Sequence, residues 1–142
     1  MRTREFAPRK LDVEAFAHDA SSLQGESPAH NLSRLADSAA PEVPASEWPV
    51  VQWKLKGERR EPRGAEPQIW LHLEASATVS LTCQRCLQPV QEHLSLARSF
   101  LFVRDEDMAA SLDADSEDDV LALTRHLDAL ELVEDELLLS LP

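Results

Sequence analysis

Residues 69–83 read IWLHLEASATVSLTC, and their strict alternation decides the fold. Ile69, Leu71, Leu73, Ala75, Ala77, Val79, Leu81 and Cys83 share one parity, while Trp70, His72, Glu74, Ser76, Thr78, Ser80 and Thr82 share the other. Successive side chains of a strand point to opposite faces, so the pattern predicts one long strand with a single face on a core. Beyond the turn the parity reverses: Val90, Leu94, Leu96, Phe100 and Phe102 carry the apolar set, with Glu92 and Arg98 as exceptions. A hairpin that pairs Cys83 with Val90, Val79 with Leu94 and Leu73 with Phe100 brings both apolar faces to one side.

Working outward, Val51, Trp53 and Leu55 alternate with Gln52, Lys54 and Lys56, which predicts a further half-buried strand before the charged loop KGERREPRGAEP at 56–67. Leu11 to Ala20 and Asn31 to Ala39 have the apolar spacing of short helices, separated by polar SSLQGESPAH, and SAAPEVPASE at 38–47 is a connector. DEDMAASLDADSEDD at 105–119 is acidic and poor in bulky apolar residues, which predicts a loop. Val120 to Leu123 forms a short strand in this reading. Asp128 then caps ALELVEDELLLSL, where Leu130, Val133, Leu137 and Leu141 recur at helical spacing before Pro142. The expectation is one α+β domain over 1–142: a helical and irregular part at 1–47, antiparallel strands with a long hairpin at 48–103, an acidic loop at 104–119, and a short strand with a C-terminal helix at 120–142. That helix and the short N-terminal helices cover the sheet.

The net charge is −12 over 142 residues, and it is unevenly placed. Residues 1–100 hold 12 Lys/Arg against 13 Asp/Glu, whereas residues 101–142 hold 2 against 13, a balance of −11. Broad phosphate neutralisation is therefore disfavoured as the main activity. A cationic partner protein suits the acidic end better. No run approaches the roughly 20 apolar residues of a membrane-spanning helix, and no apolar stretch follows the early arginines to make a secretory signal. A cytoplasmic, reducing location is expected, in which cysteines are thiols or metal ligands.

Cys83 and Cys86 are the two cysteines of the chain, in LTCQRCLQPV at 81–90. At a hairpin tip, Cys-x-x-Cys would supply two of the four ligands of a zinc knuckle, a redox pair, or a packed turn. His72 and His93 fall on the polar parity, and His93 lies seven residues past Cys86, roughly 20 Å along an extended strand. Neither completes a metal site. A redox pair usually sits at a helix N-terminus, and here strands flank the turn. Neither a nucleophile elbow nor a phosphate-cradling glycine loop is readable, so an enzyme is not expected. Lys54, Lys56, Arg59, Arg60 and Arg63, with Arg85 on the cysteine turn, form a local basic set that would contact RNA phosphates, with Trp53 or Trp70 available to stack on a base. Glu58, Glu61 and Glu66 interleave with that set and offset it.

The alternating strand running into the Cys-x-Arg-Cys turn, the acidic connection, and LDALELVEDELLLSLP together resemble the YceD family, the large ribosomal RNA subunit accumulation proteins, over about residues 69–142. The resemblance implies a non-enzymatic ribosome-biogenesis factor that supports synthesis, processing or stability of large-subunit ribosomal RNA. The expected partner is a basic ribosomal or assembly protein met by the acidic end, including Glu131, Glu134, Asp135 and Glu136, with ribosomal RNA engaged directly or through it. Neither a membrane nor a small-molecule substrate is expected. Family members usually continue beyond the leucine-rich run into a tail with a further histidine and cysteine. A tail of that kind, or a partner, would supply the remaining ligands if zinc binds. The alternatives are a zinc-dependent or redox regulator using Cys83 and Cys86, and a direct RNA-binding module using the Lys54 to Arg63 patch.

Overall fold

The computed structural model describes residues 6–64, 67–103 and 119–142. The elements are α1 (Val13–His18), β1 (Ser22–Ser27), α2 (Ser33–Ala36), β2 (Val51–Arg60), β3 (Gln68–Thr82), β4 (Pro89–Val103), β5 (Asp119–Ala122) and α3 (Ala129–Leu139), with 3-10 turns at Ala29–Asn31 and Ala45–Glu47. The strands form one five-stranded sheet in the order β1-β2-β3-β4-β5. Two contacts per neighbour fix the directions: Ser27 meets Trp53 while Ser21 meets Gly57, Glu58 meets His72 while Arg60 meets Trp70, and His72 meets Ser99 while Thr78 meets His93, so β1 to β4 run antiparallel in turn. β5 lies parallel to β4, with Phe100 opposite Asp119 and Val103 opposite Ala122. The architecture is α+β.

The long alternation becomes β3 as expected. Leu71, Leu73 and Val79 are fully buried, and Ala75 and Ala77 nearly so. Toward the turn the pattern relaxes: Leu81 and Cys83 are half-buried and Val90 is exposed. The hairpin register differs by two residues from the one expected. Thr78 faces His93 and His72 faces Ser99, while the Cys83 N–H donates to the Gln88 carbonyl. The same register sets Leu71 opposite Phe100 and Ala77 opposite Leu94. A shift of two preserves which face each side chain takes, so burial alone does not choose between the registers; the short turn does.

Two segments differ from the sequence reading. SSLQGESPAH contains β1, whose single bulky apolar residue, Leu23, gives no period-two signal. The charged stretch after Leu55 continues β2 as far as Arg60. The polar side chains stay outside on an edge region, while backbone hydrogen bonding supplies the order. Trp70, expected on the outer face, is only 6% exposed. Residues 104–118, most of the expected acidic loop, lie outside the described residues; Asp119 already belongs to β5. The C-terminal helix ends at Leu139, before Leu141.

The chain divides into two compact units, 1–23 with 55–73 and 97–129, and 24–54 with 74–96 and 130–142. In the first, Asp12 caps α1 by accepting the Ala15 N–H at 3.1 Å, and Phe16 is fully buried with Phe6 edge-on to it at 5.0 Å. Leu11 and Leu127 exchange two backbone hydrogen bonds of 2.8 Å, and Arg9 pairs with Asp128 at 3.1 Å. In the second, the buried apolar set comprises Leu32, Leu35, Trp48, Trp53, Val79, Val133 and Leu137 among others. The Trp53 indole N–H donates to Ser27 Oγ at 3.2 Å, and the Ala40 N–H donates to the Ser80 carbonyl at 2.9 Å.

Gly57 shows why β2 keeps a glycine in its charged half. Its N–H donates to the Ser21 carbonyl, and a Cβ there would stand 2.6 Å from the Phe16 carbonyl oxygen and 2.8 Å from the Ala17 nitrogen. Backbone atoms cannot swing aside as a side-chain tip can. Gly57→Ala is expected to destabilise the protein by about 1–3 kcal/mol through overpacking, measured as a lowered urea midpoint. A midpoint equal to that of the parent would show that α1 yields freely.

Candidate functional site

Three side-chain groups carry chemistry. The first is the cysteine turn joining β3 to β4. Residues 84–87 form it, closed by the Cys83 N–H to the Gln88 carbonyl and by the Leu87 N–H to the Cys83 carbonyl, each 2.9 Å. Leu87 adopts a left-handed conformation, φ 60°, and is 67% exposed. Cys83 is half-buried, Cys86 is exposed, and both are free thiols. The backbone N–H groups of Cys86 and then Arg85, followed by the Cys86 thiol, hydrogen-bond to the Cys83 sulfur and hold its pKa below the ordinary thiol value. This is thiolate-favouring geometry at an accessible tip. Two thiols at this spacing amount to half of a four-ligand zinc set. Among the described residues no group of three or more His, Cys, Asp and Glu side chains is placed to hold a metal. Any further ligands must therefore come from outside that set.

The second group is a polar network on the outer face of β2, β3 and β4. Glu58 accepts both Arg60 Nε and Nη2, at 3.0 and 3.2 Å, and lies 2.7 Å from His72 Nε2. A carboxylate only accepts, so His72 Nε2–H is the donor, and in the neutral ring Nδ1 accepts the Ser99 hydroxyl at 2.7 Å. The Arg60 guanidinium lies 4.5 Å over the Trp70 ring, and Trp70 stacks parallel to His72 at 6.3 Å. That cover explains the burial of Trp70 on the polar parity. Carboxylate, imidazole and hydroxyl follow one another as in acyl-transfer triads. Ser99, however, lies inside a fifteen-residue strand and not at a strand-to-helix elbow. The network braces the sheet's outer face.

The third group is Glu134 on α3. Its side chain is 8% exposed, and one carboxylate oxygen accepts the backbone N–H of Arg34 at 2.9 Å and of Leu35 at 3.2 Å. The other accepts Arg34 Nε at 3.1 Å. These two N–H groups belong to the first turn of α2, whose own N-cap residue, Leu32, offers no side-chain acceptor. Glu134 therefore does from a distant helix what a capping Ser or Asp does locally. Arg34 also pairs with Asp135 at 2.6 Å.

The expected site residues accordingly separate. Of the acidic set, Glu131 is exposed, Asp135 is half-buried against Arg34, Glu134 is turned inward, and Glu136 is only 7% exposed. Burial removes Glu134 and Glu136 from a docking face. Of the basic set, Lys54 and Lys56 extend from the exposed face of β2, Arg60 is held by Glu58, Arg59 pairs with Glu61 at 3.5 Å, and Arg63 and Arg85 are exposed in turns. Trp53 is buried and bonded to Ser27, and Trp70 lies under Arg60, so neither ring presents a free face for a base. The inward role of Glu134 was available from spacing: it shares the helical stripe of Leu130, Val133 and Leu137. The Glu58–His72–Ser99 contacts required the cross-strand register.

Two outcomes follow from the carboxylates. Glu134→Ala leaves two helix N–H groups without an acceptor and is expected to cost about 2–4 kcal/mol; Glu134→Gln, which keeps an amide oxygen, costs less, and equal denaturation midpoints for both would exclude the capping role. The Glu58 pKa is lowered from 4.5 to about 2, first by the Arg60 hydrogen bond and then by His72. A depressed carboxylate stabilises the fold fully above pH 4.5 and loses that contribution as pH falls toward 2. Solvent screening keeps it small. Glu58→Gln should flatten the pH dependence of stability between those limits, with a small loss of stability at neutral pH that vanishes as pH falls toward 2, read from urea midpoints across the pH series.

A family model described as "Large ribosomal RNA subunit accumulation protein YceD" matches residues 71–142, which span most of β3, the cysteine turn, β4, β5 and α3. No solved structure matches the chain. The matched region covers just over half of the 142 residues and contains both the thiol turn and Glu134, though not the α2 residues that Glu134 caps, and on that match the chain belongs to the YceD family.

Proposed function

We propose that this protein supports large-subunit ribosomal RNA accumulation in the cytoplasm as a non-enzymatic binding factor, by engaging a basic ribosomal or assembly protein. The family description carries the role in ribosomal RNA accumulation. The segregation of charge carries the mode: residues 101–142 have a balance of −11, and 105–119 alone hold eight Asp/Glu with no Lys or Arg. Complementary charge steers association with a cationic partner and selects against polyanions. Since Glu134 and Glu136 are buried, the attraction is assigned to 105–119, with Glu131 at the margin. Direct RNA binding through β2 is the weaker reading, because Arg59 and Arg60 already face carboxylates and the chain as a whole is anionic.

The test is depletion of the protein in its host, with the large- to small-subunit ribosomal RNA ratio as the readout. The ratio is expected to fall and to be restored by the parent chain. A chain with the eight carboxylates of 105–119 changed to Asn and Gln should fail to restore it. In vitro, the parent chain should bind basic large-subunit proteins with an affinity that drops steeply with salt, and the neutralised chain on the order of tenfold more weakly or worse. Full restoration by the neutralised chain would overturn the acidic-docking reading.

A further inference from the structure

β1 (Ser22–Ser27) is an edge strand, with β2 on one side and no strand among the described residues on the other. Its register follows from the Gly57 N–H donating to the Ser21 carbonyl, which sets Ser21 opposite Gly57, Leu23 opposite Leu55 and Gly25 opposite Trp53. The backbone groups of an antiparallel strand alternate sides with the same period as its side chains. The odd residues therefore bond to β2 and turn inward, while Ser22, Gln24 and Glu26 aim their N–H and C=O groups out of the sheet edge. All three are exposed, and among the described residues nothing hydrogen-bonds to those outward groups. Natural edges are ordinarily blunted by lysine, proline or a bulge. SLQGES carries neither lysine nor proline.

We propose that β1 pairs antiparallel with β1 of a second copy of this chain, joining the two sheets across a two-fold axis at Gln24. The register that engages every outward group sets Ser22 opposite Glu26, Gln24 opposite Gln24 and Glu26 opposite Ser22, and exchanges about six backbone hydrogen bonds. It is self-complementary, as an isologous interface must be. Like charges do not face each other: the Ser22 hydroxyl meets the Glu26 carboxylate, and the two Gln24 amides meet on the axis. Opposite charges then fall in one row. Lys56 of β2 lies beside Ser22, so it stands about 10 Å, two strand spacings, from Glu26 of the second copy, a gap that both long side chains close over the short serine. Within its own chain neither Lys56 nor Glu26 has an ion-pair partner among the described residues. On the inner side, half-buried Leu23 faces Gly25 of the second copy, where a Cβ would stand 2.7 Å from Trp53 Cζ2. The glycine leaves that ring edge open to the leucine. A strand of 6 residues is short for a permanent interface, so the association falls in the micromolar range.

The experiment is sedimentation velocity of the full, reduced chain over a micromolar concentration series, with amide hydrogen exchange compared at its two ends. The expected result is a concentration-dependent equilibrium between monomer and dimer, with exchange slowed at high concentration at Ser22, Gln24 and Glu26. Gln24→Lys sets two ammonium groups on the axis, and Glu26→Lys sets one in the row of Lys56 of the other copy. Both positions are exposed, so the melting transition should stay with the parent while the dimer weakens about tenfold. Adding Lys56→Glu to Glu26→Lys reverses the charges of the row and should restore the dimer. A monomer at every concentration, a dimer indifferent to Gln24→Lys, or a double variant no tighter than Glu26→Lys alone would each overturn the proposal. None of these results bears on the acidic-docking reading, which rests on 105–119.

Discussion

A strand of fifteen residues runs about 50 Å, two to three times the usual length, and its inner face has to stay dry over much of that span. β3 meets this constraint unevenly. Leu71 and Leu73 belong to the unit whose buried set includes Phe16, Phe100 and Phe102, while Ala75, Ala77 and Val79 belong to the unit that buries Trp48, Trp53 and Leu137. Small residues on the strand and bulky ones elsewhere in the same buried set are a combination that fills volume without voids. Near the turn the demand ends, and with it the burial. The thiols therefore sit where the sheet stops being a core and becomes a surface.

Two carboxylates show how differently the fold treats the same group. Glu58 lies partly in water, shares its charge with Arg60 and His72, and stabilises the fold modestly. Glu134 is inside, where an unpartnered charge would be costly, and its oxygens are met by two backbone N–H groups and a guanidinium. Among the described residues no buried side-chain nitrogen or oxygen lacks a partner. An acidic count over the last third of the chain thus mixes charges used to build the protein with charges left for another molecule.

The parts of the fold legible in the sequence are those in which a side-chain period reports a buried face: β3, most of β4, the first half of β2, and α3. β1 was hidden because an edge strand with one bulky apolar residue has nothing to alternate. The second half of β2 was hidden because its order comes from backbone pairing and from the fit of Gly57 against α1, neither of which leaves a hydrophobic trace. β5, with four residues, was visible as a strand, but its parallel direction was not encoded locally. The cysteine pair was readable as a turn at once. Its exposure, and the left-handed Leu87 beside it, depended on a register that parity leaves open by steps of two. Glu134 lies on the apolar stripe of its helix, but a carboxylate there reads as surface because carboxylates are rarely buried without a partner, and its partners are 100 residues away.

The clasp between Glu134 and α2 joins residues 100 positions apart. A chain made from its N-terminus grows by roughly 5–20 residues each second, so Arg34 and Leu35 wait on the order of 5–20 seconds for the carboxylate that caps their helix. A four-residue helix without its cap does not persist by itself. During synthesis this stretch is therefore an open segment, accessible to chaperones and proteases, and it closes only when a residue from the far end of the sequence reaches it.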